Sequence, residues 1–431
     1  MSETRDRSRR VVITGLGVIA PNANGVAAFD TALRNGVSGI RKIDDLEEHK
    51  FGCQVAGAPQ GVEELVEATF AEDERLVMNE GQRFASLAAL EAWTDAGFER
   101  PELGDDRVRW ETGAVIGTGI GGMDVIAERI IPGVDAKKVR RLGSACVEQV
   151  MASGVSARIS GQLALGNQVT TNSSACSTGS EAIALGAERI RAGLAERMLC
   201  GGAEAANRYI WAGFDAMRVL SRKFNDNPTR ASRPLSASAG GFVPGSGAGV
   251  VVLESLEAAE ARGARIHAEL LGAGINCGGH RAGGSMTAPN PDGVRRCIQL
   301  ALVDAGIDPG EVDAINGHLT ATGADPREVE SWSAALGRGP GELPPLTATK
   351  SMVGHALGAA GGLEAVASVL MVRDGYLHPC LNCEDIHPEI EPFADSIPHE
   401  TREMDLRVLI KASFGFGDVN ACLVFRNFDR A

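Results

Sequence analysis

The chain has 431 residues, 44% of them hydrophobic and 23% charged, which suits a globular protein with one large or two medium domains. Its formal net charge of -14 argues against nucleic acid as the main partner, because phosphate binding needs a basic surface. Nine cysteines scattered through a chain of this size favour a reducing compartment, and no window approaches the roughly 20 apolar residues of a membrane helix. We therefore expect a soluble, cytoplasmic protein.

The first part of the chain alternates strand patterns with helix patterns, as α/β proteins do. The expected elements are a strand at 11–18, a helix at 84–98, a strand with a glycine loop at 114–122, a strand at 169–171 with a helix reaching 194, and strands at 198–204 and 249–254.

After a helical stretch at 256–262 the same order of elements starts again. The expected elements are strands at 268–275 and 312–318, helices at 294–307 and 356–372, and strands at 346–350, 407–414 and 422–425. We therefore predict two related α/β halves, residues 1–260 and 261–431, facing one another about a pseudo-two-fold. In that arrangement the helix after Cys176 and the helix after His355 meet at one central site.

Cys176 lies where a strand pattern changes to a helix pattern, in the small-residue segment Ser-Ala-Cys-Ser-Thr-Gly. The unpaired N–H groups and the positive end of a helix dipole favour the thiolate at such a position, so the segment predicts a nucleophile. The alternative is a buried structural cysteine, which is how most cysteines behave.

Two of the eight histidines occupy comparable positions. His318 ends a predicted strand in INGHLTATG, and His355 starts a predicted helix in TKSMVGHALGAAGG. Ligands bind at strand ends in α/β sheets. Each histidine alone is more typical of a structural residue, but with Cys176 on equivalent elements they form a candidate Cys-His-His site.

Two other patterns are interpreted as weak. Glycines at 117, 119 and 122, and at 15 and 17, fit a dinucleotide-binding loop, but neither set has the full βαβ context. The spacing of His378, Cys380, Cys383 and His387 resembles that of zinc ligands. The chain has no second Cys-x-x-Cys pair to support a zinc site. We expect no dinucleotide and no metal at these positions.

The chain resembles the β-ketoacyl-acyl carrier protein synthases of the elongating, decarboxylating type over essentially its whole length. The segments that carry the resemblance are RRVVITGLGV, GTGIGGM, TTNSSACSTG, NDNPTRASRP, INGHLTATG, TKSMVGHALGAAGG and SFGFGDVN. The resemblance implies a thiolase-like fold, in which two duplicated α/β halves form a layered αβαβα core. It also implies a homodimer with no permanently bound cofactor.

Carried onto this sequence, the resemblance implies that Cys176 accepts the acyl chain as a thioester. His318 and His355 would bind the malonyl thioester and promote loss of carbon dioxide, leaving an enolate that attacks the acyl group. The backbone N–H groups of Cys176 and Phe416 would form the oxyanion hole, and Phe416 would also gate the thiol.

The resemblance also implies a supporting set around these residues. Lys350 would order the site, through Glu328 or Glu364, because a buried lysine needs a carboxylate partner to keep its charge. Phe414 would support the site from the Phe-Gly-Phe-Gly turn.

The same resemblance implies contact with an acidic acyl carrier protein that delivers a phosphopantetheine arm. Thr320 and Thr322 match the threonines that hydrogen-bond this arm. Basic clusters usually belong to a solvated face, but here they fit a salt-sensitive carrier dock. The predicted docking residues are Lys137, Lys138, Arg140, Arg141, Arg222 and Lys223, with Arg218 and Arg230 in the same second cluster.

Several positions depart from the family pattern. Leu319 and Gly323 follow the first histidine, Asp418 and Val419 follow the Phe-Gly-Phe-Gly turn, and the segment 235–249 lacks its usual charged residues. We expect these positions to border the pantetheine channel or the gate. They favour a specialised member, in polyketide or polyene assembly, over the housekeeping synthase of fatty acid elongation.

Two alternatives to a decarboxylating synthase are distinguishable from the sequence. A non-catalytic chain-length subunit typically lacks the cysteine, so the retention of Cys176, His318 and His355 argues against it. A thiolase-like enzyme acting on coenzyme A thioesters usually has a second catalytic cysteine near its C-terminus, where this chain has only Cys422 within a predicted strand.

Overall fold

The computed structural model describes residues 9–102 and 104–429. Within those ranges the strands are β1 Val11–Ala20, β2 Ala23–Asn24, β3 Ile40–Lys42, β4 Val55–Gly57, β5 Thr112–Gly117, β6 Val169–Thr170, β7 Arg197–Glu204, β8 Gly247–Ser255, β9 Ala268–Cys277, β10 Ala314–Asn316, β11 Leu346–Thr347, β12 Tyr376–Leu377, β13 Arg402–Glu403, β14 Val408–Gly415 and β15 Val419–Arg426.

Helices surround and separate these strands. The α-helices are α1 Val26–Arg34, α2 Asp44–Glu48, α3 Val62–Thr69, α4 Glu72–Leu76, α5 Glu80–Asp95, α6 Met123–Val125, α7 Ile131–Asp135, α8 Ala145–Val150, α9 Gly154–Leu163, α10 Thr178–Arg191, α11 Arg208–Ala216, α12 Leu256–Ala261, α13 Pro291–Ala305, α14 Asp325–Leu336, α15 Lys350–Val353 and α16 Ala360–Asp374. Among the described residues, none of these helices is both long enough and apolar enough to cross a membrane.

The strand order shows an internal duplication. One half of the large sheet runs β1-β8-β7-β5-β6, and the other runs β9-β15-β14-β10-β11. In each half the first two pairings are antiparallel and the last two are parallel. The predicted duplicated α/β architecture is therefore confirmed.

The halves join along β1 and β9, which pair antiparallel at Val12 with Glu269 and Ile13 with Ala268. Helices α10 and α16 pack against each other and contact strands of both halves, while α5 lies on β1 and β8 and α13 on β9 and β15. Sheet and helix therefore alternate as layers, with α10 and α16 in the middle layer.

Small residues let the two middle helices touch. A Cβ atom added to Gly179 would lie 2.5 Å from the backbone nitrogen of Gly362, and one added to Gly361 would lie 2.3 Å from that of Ser180. Every residue of α16 from 360 to 372 is buried, as expected for a helix with protein on all sides. This close crossing brings the N-terminal ends of α10 and α16 together.

Some element boundaries differ from the predicted ones. Helix α5 begins at Glu80 because the Asn79 side chain accepts a hydrogen bond from the backbone of Gln82, with the Gln82 side chain reciprocating. Strand β10 ends at Asn316, so His318 lies in the following loop. His355 precedes both a 3₁₀ turn at Leu357–Ala359 and α16, whereas the sequence placed it at the helix start.

Candidate active site

Cys176 is held in a tight turn directly before α10. It occupies the 3₁₀ turn Ala175–Ser177, and Ala175 has a φ of 48°, in the left-handed region that alanine rarely adopts. Thr178 stabilises the turn, because its Oγ1 donates to the Ala175 carbonyl at 2.7 Å and accepts from the Ser174 N–H at 2.7 Å. The cysteine is therefore presented by a strained and well-braced elbow.

The elbow is attached to the C-terminal half through β14 and β15. The Ser177 hydroxyl lies 3.1 Å from the Ser413 carbonyl oxygen and 2.9 Å from that of Val419. Gly415 lies against it so closely that an added Cβ would be 3.0 Å from the Cys176 nitrogen. The Phe416 N–H consequently hydrogen-bonds the Cys176 sulfur, which places two backbone donors, those of residues 176 and 416, beside one another.

The electrostatics of the resting thiol differ from the sequence expectation. Burial raises the pKa of Cys176 to about 11, although the Phe416 N–H and the Lys350 ammonium act in the opposite direction. The helix N-terminus was expected to favour the thiolate, but removal of the sulfur from water outweighs it. The resting form at neutral pH is therefore the thiol.

The tautomer of His355 follows from its hydrogen bonds. Its Nε2 lies 3.1 Å from the Cys176 Sγ, and its Nδ1 accepts the backbone N–H of Leu357 at 3.2 Å. Since Nδ1 is an acceptor, the proton of the neutral ring is assigned to Nε2. His355 therefore points a hydrogen-bond donor at the sulfur and at the space beside it.

His318 faces the same space from the loop after β10. Its ring centroid is 5.4 Å from that of His355, at an interplanar angle of 85°, and its Nδ1 has no hydrogen-bond partner among the described residues. The Glu328 carboxylate fixes this loop by accepting the N–H of His318 at 2.6 Å and that of Leu319 at 2.8 Å. Burial raises the pKa of Glu328 to about 7.

Both imidazoles are kept neutral by their surroundings. Burial is the main cause that lowers the pKa of His318 and of His355 well below the ordinary value, and the ammonium groups of Lys350 and Lys411 lower both further. Protonated imidazole is therefore disfavoured at neutral pH. Cys176, His318 and His355 bring their ligating atoms within 4.8 Å of one another.

Lys350 pairs with Glu364 rather than with Glu328. The Lys350 ammonium contacts the Glu364 Oε1, and the same carboxylate meets Lys411 through Oε2 at 3.0 Å. Sequence reasoning left the choice between the two glutamates open and missed Lys411 altogether. The signal was present, because a lysine within the apolar run of β14 requires a buried partner.

Cys176, His318 and His355 line a cavity of about 450 Å³, whose walls also include both predicted arm-binding threonines, Thr320 and Thr322, with their hydroxyls 3.0 Å apart. Its remaining lining is Phe214, Met217, Val219, Phe242, Thr287, Ala288, Pro289, Pro291, Val294, Gly323, Ala324, Arg327, Glu328, Ser331, Leu357, Phe414, Gly415 and Phe416. Most of these side chains are apolar, which suits an acyl chain and an extended arm.

The Phe-Gly-Phe-Gly turn contributes two rings to this cavity. Phe414 is buried with its ring 6.1 Å from that of His318, and Phe416 is partly exposed with its ring 6.1 Å from that of Phe214. Three of the departures from the family pattern, Leu319, Asp418 and Val419, do not line the cavity, so the expectation that they border the channel is wrong, whereas Gly323 does line it. Leu319 is packed in the apolar core, and Asp418 is buried, accepting the N–H of Asn290 at 2.8 Å.

Both basic clusters are exposed, but two side chains of the second cluster also contact other residues of the protein. The first follows α7 and consists of Lys137, Lys138, Arg140 and Arg141, all of them exposed. In the second, Arg222 contacts Asp215 at 3.5 Å and the Lys223 ammonium donates to the Ser238 carbonyl at 3.2 Å. This second cluster adjoins the cavity, because Met217 and Val219 line the wall on either side of the exposed Arg218.

Parts of both cofactor-like patterns are hydrogen-bonded within the protein. The Glu204 carboxylate accepts the N–H groups of Gly119 at 2.9 Å and Ile120 at 3.0 Å, so the protein itself occupies the donors of that glycine loop. In the zinc-like segment, the His378 ring nitrogens face the hydroxyls of Thr347 and Thr349.

Comparisons with known proteins agree over nearly the whole chain. The family model for the beta-ketoacyl synthase N-terminal domain matches residues 8–259, and that for the C-terminal domain matches residues 267–384. A 3-oxoacyl-[acyl-carrier-protein] synthase 2 of Rhizobium meliloti is 36% identical, with 97% of this chain and 99% of that protein covered. A chloroplastic 3-oxoacyl-[acyl-carrier-protein] synthase I of Arabidopsis thaliana is 37% identical, with 98% and 88% covered.

Solved structures with the same fold include a beta-ketoacyl synthase from Burkholderia phymatum, with a TM-score of 0.88 and 31% identity, covering 97% of this chain and 99% of that one. The ishigamide ketosynthase/chain length factor gives a TM-score of 0.85 at 33% identity and the same coverage. A ketosynthase in complex with its type II polyketide acyl carrier protein gives 0.86 at 29% identity, again with 97% and 99% covered. The layered, duplicated fold of this chain is thus that of the ketosynthases.

Proposed function

This chain belongs to the β-ketoacyl synthase family and is an acyltransferase of that family, and we propose that it condenses a Cys176-bound acyl group with a malonyl thioester. One observation carries the assignment of roles: the Cys176 sulfur lies 3.1 Å from the Nε2 of His355, the ring nitrogen to which the proton is assigned, within one cavity. A thiol, two neutral imidazoles and two convergent backbone donors are the groups that this chemistry needs.

The first step is acyl transfer to the thiol. The Cys176 sulfur forms a bond to the carbonyl carbon of an acyl thioester, and the bond from that carbon to the carrier sulfur breaks. The thiol proton leaves with the carrier as its new S–H group, so no external reactant is consumed. The N–H groups of Cys176 and Phe416 stabilise the negative oxygen of the tetrahedral intermediate, and the Nε2–H of His355 supports the sulfur while it is charged.

The second step forms the carbon–carbon bond. His318 and His355 donate hydrogen bonds to the malonyl thioester carbonyl, the bond to the malonyl carboxylate breaks, and carbon dioxide leaves. The electron pair that remains forms an enolate, which attacks the acyl carbon on Cys176 and releases the sulfur. The sulfur then takes one proton from the medium. Neutral imidazoles are suited to this task because they donate without carrying a charge that burial would penalise.

We infer that an acyl carrier protein delivers both thioesters. Thr320 and Thr322 place two hydroxyls on the cavity wall, where they can hydrogen-bond the amides of an extended arm. The exposed basic residues 137–141 and Arg218 offer positive charge to an acidic carrier. A structurally similar ketosynthase is known in complex with its acyl carrier protein.

We also infer that the chain forms a homodimer. The segment between β5 and β6 exposes several large apolar side chains, among them Ile131 at 51% and Val147 at 67%. Strand β6 ends the sheet and, within residues 9–102 and 104–429, pairs only with β5. Such a surface is typical of an interface. Analytical ultracentrifugation is expected to give twice the chain mass, and a Val147→Glu variant is expected to shift the equilibrium towards monomer.

The assignment is tested by supplying the purified chain alone with an acyl-carrier protein and a malonyl-carrier protein. We expect one 3-oxoacyl-carrier product for each carbon dioxide released. Carbon dioxide release without condensation would instead identify a subunit that needs a partner chain to condense. Product formation from acetyl thioester in place of malonyl thioester would support a thiolase-like enzyme.

A further inference from the structure

Lys411 is a fully buried lysine that the condensation steps above do not use. It lies within β14, and its Nζ donates to the Ser180 Oγ at 2.6 Å, contacts the Ser413 Oγ, and lies 3.0 Å from the Glu364 Oε2. An ammonium group has three N–H donors and no acceptor. Two hydroxyl oxygens lie within hydrogen-bond distance of this nitrogen and a carboxylate lies beside it as a counter-ion, so its surroundings fit the charged form.

This second lysine changes the charge balance next to the site. Glu364 is one carboxylate between two ammonium groups, those of Lys350 and Lys411, and all three residues are at most 1% exposed. The cluster therefore carries one more positive than negative charge. Burying an excess charge is costly, because the charge loses its hydration. Burial therefore lowers the pKa of Lys411, although the attraction of Glu364 acts to raise it.

Lys411 also joins elements from both halves. Ser180 lies on α10, one helical turn after Cys176, and its Oγ is 3.0 Å from the Oγ of Ser413. Ser413 lies on β14, close before the Phe416 loop, and Glu364 lies on α16. One ammonium group thus links the nucleophile helix, the strand that leads to the gate and the other central helix.

We propose that Lys411 is a positioning residue of the condensation site, which braces α10 against β14 and whose charge, together with burial, favours the neutral, hydrogen-bond-donating form of His318 and His355. The proposal rests on the proposed function of the two histidines. The two lysines differ in their effects, because the Lys350 ammonium also acts to lower the pKa of the Cys176 thiol.

The expected direction follows from the groups around the imidazoles. The positive charges that act on both imidazoles are Lys350 and Lys411, and the Arg327 guanidinium lines the same cavity. The other titratable groups are the Cys176 thiol, the second imidazole and the carboxyls of Glu328 and Glu364. Glu364 lies between the lysines, Glu328 binds the backbone of the His318 loop, and Cys422 on β15 faces Lys411. Removing the Lys411 charge therefore raises the pKa of both histidines towards the ordinary value, so they protonate at a higher pH.

The test is the pH dependence of malonyl-carrier decarboxylation in four full-length proteins. They are the wild type, Lys411→Met, Lys411→Gln and Ser180→Ala. Lys411→Met removes the charge and all three donors, and Lys411→Gln keeps a donor to Glu364. Ser180→Ala is the matched control, because it removes one hydrogen bond of the same network and leaves the charge in place. Circular dichroism and size-exclusion chromatography establish folding.

We expect the acid limb of the rate profile to move to higher pH in Lys411→Met and in Lys411→Gln. In Ser180→Ala the rate should fall without movement of the limb. Coincident acid limbs in the wild type and both Lys411 variants would overturn the proposal, as would failure of both variants to fold. A wild type that releases no carbon dioxide would instead refute the proposed function itself.

Discussion

The turn before α10 and the turn before α16 follow the same backbone path and carry different chemistry. Ala175 and Leu357 open the two 3₁₀ turns with φ values of 48° and 50°, and each helix begins three residues later. The second position of the turn is Cys176 in one half and Gly358 in the other. A Cβ on Gly358 would lie 2.5 Å from the Gly119 nitrogen, so that turn has no room for a side chain.

The functional group of the C-terminal half comes from a position just before the turn instead. His355 precedes it by two residues and reaches across to the sulfur. The two turns thus share one backbone conformation, whereas the packing of the neighbouring loops determines which position has room for a reactive side chain. The comparison implies a division of labour, in which the N-terminal half holds the acyl group and the C-terminal half generates the enolate.

The largest expected effect comes from Cys176→Ala, which removes the thiol of the N-terminal half and leaves the histidines of the C-terminal half in place. Condensation should fall by on the order of 10⁴-fold or more, because no thioester can form. Malonyl decarboxylation should persist, because both imidazoles remain in place. Product analysis and carbon dioxide release, measured on the same samples, distinguish the two activities. Loss of both activities in a folded variant would contradict the division.

The reciprocal variants are His318→Ala and His355→Ala. Each should reduce malonyl decarboxylation by about 10²- to 10⁴-fold, because a donor to the developing enolate is lost. Acylation of Cys176 by an acyl-carrier protein should still reach completion, as followed by the mass of the intact protein. Unchanged carbon dioxide release in both variants would reject the roles assigned to them.

The pH dependence of the wild-type reactions tests the protonation states assigned to Cys176 and to the two histidines. Because burial lowers the pKa of both histidines, decarboxylation should hold its rate as the pH falls past 6.5 and decline only at lower values. Alkylation of Cys176 by iodoacetamide should follow the opposite limb, rising with pH up to a pKa of about 11. An acid limb centred at 6.5 would mean that the imidazoles are solvated.

A smaller effect is expected from Gly361→Ala, which separates the halves without touching a reactive group. The added Cβ would lie 2.3 Å from the Ser180 nitrogen, so α10 and α16 must move apart. We expect a loss of about 1–3 kcal/mol in the free energy of unfolding, measured with denaturant, and a fall in condensation. The matched control is Gly161→Ala in α9, where an added Cβ meets nothing within 4 Å. Equal stability losses in the two variants would contradict the close crossing.

The smallest effect concerns the surface. Arg141→Glu should raise KM for the acyl-carrier protein roughly two- to five-fold at low salt and less at high salt, with kcat nearly unchanged. Arg407→Glu is the control, because Arg407 is exposed and precedes β14, at the opposite end of that strand from the Phe416 loop. An equal change in KM for both variants would reject a specific dock at residues 137–141.

The sequence predicts the parts of the site that follow from local pattern. The strand-to-helix change around Cys176, the repeated order of elements and the motif positions of His318 and His355 were all readable. The protonation state of the Cys176 thiol was not readable from the sequence, because the burial of the sulfur depends on how Gly415 and Phe416 pack against it. The same holds for the pairing of Lys350 with Glu364.

Lys411 shows why long-range partners escape such reasoning. The three side chains around its ammonium group are those of residues 180, 364 and 413, two of which lie far away along the chain. A pattern identifies a lysine in an apolar strand as unusual. Only the fold identifies what surrounds it.

The most direct test of the two-part site is a single-turnover experiment on the wild type. The enzyme is first incubated with an acyl-carrier protein, and its Cys176 peptide is weighed before and after addition of malonyl-carrier protein. We expect the acyl mass to appear on that peptide and to disappear on addition of the malonyl thioester, with one carbon dioxide released for each acyl group lost. An adduct on another of the nine cysteines, or one that persists through the chase, would contradict the account.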